Sequence, residues 1–289
     1  MPGAGQAGGG GRHRREMIAR APEAKSGAVR TGIRLIEDYR LEELLRCPFR
    51  MPARKTELSA RTAADIGWRQ IVQYSASHIV NDYFSSLPEY RTQRMIRHSA
   101  DRRWSNKAYK FESPDHYWFI RSRTIDNLIR FLEEGRDIVP IVLFESFRCH
   151  IPAVAADVSF IVQMLHRPGD DPAEPFVLQK YVVDDDPAVI AGFRHLAVLF
   201  CSEAFGALPG RIELFGVLSG NRYVFRPQPE DLAKAADYVS LLRDYIPYAS
   251  KADSAPASRE EVCGKCALRV ECDREDRHTS ASFRRHLLH

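Results

Sequence analysis

IVPIVLFESF (138–147), AVAADVSFIVQML (153–165) and EPFVLQKYVV (174–183) are three short apolar runs, rich in β-branched and aromatic residues and separated by Pro, Gly and Asp clusters. Runs of this length between turn formers read as strands, so the middle of the chain predicts a three-stranded meander. Downstream, the pattern predicts a helix from about Pro187 to Ala207, two strands in RIELFGVLSG and NRYVFRP, and a helix from Pro229 to Tyr245. Upstream, Ile66, Ile71, Tyr74, His78 and Ile79 repeat at helical spacing between Thr62 and Phe84. A second helix is expected from Asp115 to Glu134, closed by Gly135. IRLIEDYRLEELLRC reads as a short helix ending at Cys47 and Pro48.

The order is helices, three strands, helix, two strands, helix. That predicts an α/β (α+β) fold with a mixed sheet of about five strands flanked by helices. One domain is expected over residues 31–275, with a helical insertion at about 88–135. Residues 1–30 combine Gly, Ala, Pro and Arg without apolar periodicity and read as a solvated basic arm; residues 276–289 form a tail.

With 289 residues, 44% of them hydrophobic, the chain can bury one sizeable core. The net charge of +4 and a pI near 8.7 are mild evidence for a polyanionic partner. No apolar run is expected to reach the roughly 18 residues of a membrane span, and the glycine-rich, basic opening is not read as a signal peptide, which would carry an apolar stretch there. The expectation is a cytoplasmic protein with no membrane partner.

Three of the six cysteines fall within ten residues, as Cys263-Gly-Lys-Cys266-Ala-Leu-Arg-Val-Glu-Cys272. Such spacing lets the three thiolates converge on one centre, because a turn would bring the first two together and a helical turn return the third. Cys47, at a predicted helix end beside a proline, is the natural fourth ligand, and its use would clasp the two ends of the domain. Four thiolates suit an iron-sulfur cluster and a tetrahedral Zn²⁺ equally well, and spacing does not choose between them. Cys149 and Cys201 fall within a predicted strand and helix and read as core residues.

A cysteine in a Cys-Pro context, a long interval and then C-x2-C-x5-C resembles the iron-sulfur branch of the PD-(D/E)XK nucleases. That branch includes the C-terminal nuclease domain of AddB, the CRISPR-adaptation nucleases and the RecB-type helicase-nucleases. The resemblance covers about residues 33–275 and extends to the order of elements. It implies a structural [4Fe-4S] cluster on Cys47, Cys263, Cys266 and Cys272. It also implies Mg²⁺- or Mn²⁺-dependent DNA cleavage by a histidine on an early helix, an Asp on the second meander strand and a Glu/Asp-x-Lys on the third. The matching positions are His78, Asp157 and Leu178-Gln179-Lys180. Divalent ions need at least two hard oxygen ligands near the scissile phosphate.

By alternation Asp157 shares a strand face with Ala155, Ser159 and Gln163, opposite Val154, Ala156, Val158 and Phe160. Lys180 and residue 178 share a face, but residue 178 is leucine, so the second carboxylate is missing from its place. Glu145, Glu174 and Asp184 to Asp186 are the candidate substitutes. RHLAVLF (194–200), where the family carries Gln-x3-Tyr, has neither residue.

Two functions follow from the resemblance: a divergent metal-dependent DNA exonuclease, or a catalytically degraded relative that binds DNA or assembles with a helicase or nuclease partner. A third, of a different class, is a zinc interaction module held by the four cysteines. The DNA expected is single-stranded or a duplex end. Arg91, Arg94, Arg97, Arg102, Arg103, Arg121 and Arg123, near Tyr109, Phe111, Tyr117 and Trp118, are the candidate DNA-binding residues. Replacing Cys266 with serine is expected to strip the metal and reduce solubility, checked by metal content and the soluble fraction of the variant.

Overall fold

The computed structural model describes residues 34–46, 67–168 and 175–249. The basic arm, all four candidate cluster cysteines, Glu174 and the tail therefore lie outside the described residues. The chain runs β1 (Arg34–Glu37), α1 (Asp38–Arg46), α2 (Trp68–Ser85), α3 (Gln93–Arg103), α4 (Pro114–Glu134), β2 (Pro140–Ile151), β3 (Ala156–His166) and β4 (Val177–Val182). It continues with α5 (Pro187–Phe205), β5 (Arg211–Gly216), β6 (Arg222–Phe225) and α6 (Asp231–Ala249). The fold is α/β, a mixed six-stranded sheet flanked by helices.

Local chemistry explains the helix limits. Thr92 and Ser113 cap α3 and α4 by accepting from the N–H groups of Met95 and His116. Asp186 caps α5 by accepting from Ala188 N–H, and Gly206 ends it at a φ of 67°, a conformation open to glycine.

The predicted meander is β2-β3-β4. β2 pairs antiparallel with β3 along its length, from Pro140↔His166 to Ile151↔Ala156. The other edge of β3 is shared: β1 lies parallel from Arg34↔Ala156 to Glu37↔Ser159, and β4 lies antiparallel from Met164↔Gln179 to His166↔Val177. β5 runs parallel to β4 and β6 antiparallel to β5. β1 corrects the expectation of a continuous helix from Ile33: Arg34 to Glu37 finds a sheet edge and turns helical only at Asp38. It also makes the strands six rather than five.

Two cores fill the two sides of the sheet. α1, α5 and α6 cover one face, packing Leu44, Leu45, Phe193, Phe200 and Val239 on Val158, Phe160, Leu178 and Leu214. α2, α3 and α4 cover the other with Val72, Ile79, Ile96, Leu128 and Leu132, against Met164, Tyr181 and Phe215. The helix α5 is long and apolar enough to cross a membrane by length and composition, contrary to the expectation above, but 72% of that stretch is buried within the protein. Phe160 of the sheet stacks on its Phe193 and Phe200 at centroid distances of 5.4 and 4.8 Å. Cys149 and Cys201 are buried, as their positions predict.

The pairing of β2 with β3 shifts register between Pro140 and Val142, and side-chain alternation breaks a little further on. Phe144 takes a φ of 49° in the gap between Leu143↔Met164 and Glu145↔Val162, opposite Gln163. Past it Leu165 joins the core that Val162 serves, while Met164 joins the other. Ala155, expected on the face of Asp157, instead stands before the strand in the left-handed region, φ 46°.

Arg91, a candidate DNA contact from the sequence, is buried and works inside the fold. Its guanidinium donates to the carbonyls of Ser86 (2.9 Å), Arg136 (2.7 Å), Ile138 (2.6 Å) and Phe84 (3.1 Å), tying the end of α2 to the segment entering β2. Arg91→Met leaves these acceptors unpaired and is expected to cost roughly 3 kcal/mol or more in a urea unfolding titration.

Candidate functional site

Asp38, Glu42 and Arg46 recur every four residues and therefore share one face of α1. That face meets β4, where the expected Lys180 is 6% exposed. The Lys180 ammonium lies 3.3 Å from Glu42 Oε2 and 4.5 Å from the centre of the Phe193 ring. Glu42 Oε1 also accepts from Arg46 at 3.1 Å, Arg46 reaches Asp184 beyond β4, and Arg69 of α2 donates to the same Asp184 at 2.8 Å. Buried charges are tolerated when paired and hydrogen-bonded, and this chain of alternating charges meets that condition.

Asp38 stands at the fork between β1 and β4. Its carboxylate accepts from the N–H groups of Tyr39 (2.8 Å) and Ile161 (3.2 Å), the latter on the stretch of β3 that neither β1 nor β4 pairs. Burial pushes the Asp38 carboxyl above its ordinary value despite the nearby Lys180 charge. Burial pushes Glu42 upward too, but there the charges of Lys180 and Arg46 prevail and hold the carboxyl below the usual range. Between these groups and Val189, Phe193 and Leu196 of α5 remains a cavity of about 10 Å³, the size of one water.

The three residues matched to the family's catalytic set are not brought together. The register places Gln163, rather than Asp157, next to Lys180, since Met164 faces Gln179. Gln163 is committed there, its side-chain oxygen accepting from Tyr181 N–H at 2.8 Å. Asp157 lies six residues back along β3, roughly 20 Å at about 3.3 Å per residue. It also faces away from Val158 and Phe160, on the other side of the sheet from Lys180. Its carboxylate is engaged by Arg148 (2.8 Å) and His150 (3.0 Å). Burial alone would raise its pKa, and these two partners instead bring it below the ordinary value.

His78 is half-buried on α2, its ring 4.2 Å from that of Tyr74, in the helical layer on the face of the sheet opposite Lys180. Leu178 is fully buried in the α5-side core. Glu145 lines a separate groove of about 390 Å³ with Phe84, Leu87 and Val139. Asp185 accepts from Ser219, Asn221 and Tyr223, and Asp186 caps α5. None of these restores a second carboxylate beside Lys180. Among the described residues no three His, Cys, Asp or Glu side chains gather as a metal-binding group.

The candidate DNA-binding arginines also divide. Arg103 grips Asp82 through two nitrogens at 2.9 Å each, Arg123 donates to Leu218 O at 3.1 Å, and Arg121 bonds Asp101 at 2.6 Å. Arg102 is more open, 3.8 Å from Asp82. The sequence signal for Asp38 and Glu42 was their four-residue spacing, but their partner Lys180 lies 138 residues beyond Glu42 and pairing at that range is set by the sheet. No protein-family model matches the sequence, and no curated protein matches it significantly.

Lys180→Met removes the counter-charge from two carboxylates and is expected to destabilise the fold by about 3–5 kcal/mol at pH 7. A carboxyl whose folded pKa lies above its unfolded value loses stability as pH rises. Without Lys180 both Asp38 and Glu42 move in that direction, so the deficit is expected to narrow toward about pH 4. Urea unfolding of both proteins across that range checks it.

Proposed function

We propose that this chain is a PD-(D/E)XK-type protein of the iron-sulfur branch that acts on DNA as a binding or assembly subunit, its cleavage site degraded. The observation that carries it is the station of Lys180. It stands on the third strand of a meander followed by a helix and a strand pair, where the family keeps its lysine, yet its neighbours are Leu178, Gln163 and Glu42. Cleavage through a divalent ion calls for two oxygen ligands beside the scissile phosphate. Here one position is apolar and one is an amide bonded to the backbone; of the two acids α1 brings, Glu42 neutralises Lys180 and Arg46, and Asp38 is bonded to the N–H groups of Tyr39 and Ile161. These residues do not fit Mg²⁺ or Mn²⁺, and the cavity beside them has no room for a phosphodiester.

The cysteine spacing supports the [4Fe-4S] cluster. Cys47 follows Arg46 directly, so a cluster on it would anchor the helix that supplies Asp38 and Glu42. A partner helicase or nuclease subunit then supplies the chemistry that this chain lacks.

Anaerobically purified full-length protein is expected to show iron-sulfur absorbance in the visible, to bind labelled DNA with an affinity that falls as salt rises, and to leave it uncut in Mn²⁺. Mn²⁺-dependent cleavage that disappears in Asp157→Ala would overturn the loss of catalysis. A colourless, zinc-containing protein indifferent to DNA would overturn the whole reading in favour of a four-cysteine zinc interaction module.

A further inference from the structure

Between Arg91 and Lys110 the sequence holds seven Lys or Arg against one Asp, and most of this segment is α3. One flank of α3 is fastened to α2: Ser99 Oγ donates to Asp82 at 2.6 Å, and Arg103 holds the same carboxylate. The other flank meets α4 through Arg121 to Asp101 at 2.6 Å and Arg97 to Asp126 at 3.8 Å. Along the outer side of α3 Arg94, Arg97, His98, Asp101 and Arg102 are exposed to solvent as one ridge, ion pairs included. With Arg103 and Arg121 beside it, the ridge sets five arginines against Asp82, Asp101 and Asp126, so the local balance of charge is positive.

Two large rings stand beside this ridge. Tyr74 of α2 is 64% exposed, and its hydroxyl is close enough to Arg103 to interact electrostatically with it. Trp118 of α4 is 56% exposed, with the Arg121 guanidinium 5.6 Å from its ring centre. Tyrosine and tryptophan rings usually bury most of their area, so two open rings flanking a row of arginines suit a partner that offers both phosphates and flat apolar faces. A duplex keeps its bases stacked inside and gives such rings nothing to cover, and an acidic peptide satisfies the arginines alone. An unpaired strand offers both.

We propose that the exposed ridge of α3, flanked by Tyr74 and Trp118, is a binding surface for single-stranded nucleic acid, on the opposite face of the sheet from Lys180. It rests on the reading that the chain acts on DNA. The arginines track the phosphates, and the rings stack on bases.

The test is fluorescence anisotropy of the full-length protein with a labelled oligothymidylate of about 16 nucleotides, beside a duplex of equal length. The single strand is expected to bind more tightly, and Trp118→Ala and Tyr74→Ala are each expected to weaken it by roughly tenfold or more. The paired change Arg94→Ala/Arg97→Ala, on exposed side chains, should lower the slope of log affinity against log salt by about one to two units.

Binding of the oligonucleotide that none of these variants changes would discard the ridge and leave the DNA reading standing. Failure of the wild type to bind either DNA would discard both. A duplex bound as tightly as the single strand would contradict stacking. Displacement of the strand by polyglutamate of matched charge would point instead to an acidic protein partner.

Discussion

One edge of β3 serves two strands in succession, β1 near its start and β4 near its end, and the place where they part must be closed. An unpaired buried backbone N–H costs about as much as a lost hydrogen bond, so the fork needs acceptors. Asp38 supplies one to Ile161 and Gln163 supplies another to Tyr181. The first of these fixes where α1 begins. Helical spacing then carries Glu42 onto Lys180, and Arg46 toward Asp184.

That geometry has a functional consequence. A lysine beside two acids is the raw material of phosphodiester chemistry, but here α1 lies directly across Lys180 with one acid bonded to it. Water is almost excluded, and the second acid accepts from the N–H groups of Tyr39 and Ile161. A paired buried charge contributes little net stability over an apolar replacement. What it contributes here is position: a mispaired α1 would leave Lys180 buried and alone. The lysine is thus held in a structural role, and the exposed arginine ridge of α3 lies in the helical layer on the opposite face.

Much of the architecture was legible in the sequence. The β-branched runs of the meander, the apolar stripe of α2, Gly135 after α4 and Pro187 at the start of α5 are local signals, and each marks an observed element or its limit. β1 was missed because four residues, RLIE, carry too little pattern to compete with the helix that follows. The two-residue period correctly set Leu178 and Lys180 on one face. Asp157 was matched by its order in the chain, but its neighbours depend on the register of β3 against β4. That register, and the break in alternation at Phe144 and Gln163, do not show in periodicity. Asp38 and Glu42 were readable as a helix face, without any sign of what they would meet.

A double-mutant cycle between Glu42 and Lys180, using Glu42→Gln, Lys180→Met and the pair in the full-length protein at pH 7, measures their coupling directly. If Lys180 is held by α1 as described, the two changes are non-additive by about 2 kcal/mol or more. Additivity within about 0.5 kcal/mol would mean that the lysine is not committed to that carboxylate, and the structural role assigned to it would fall.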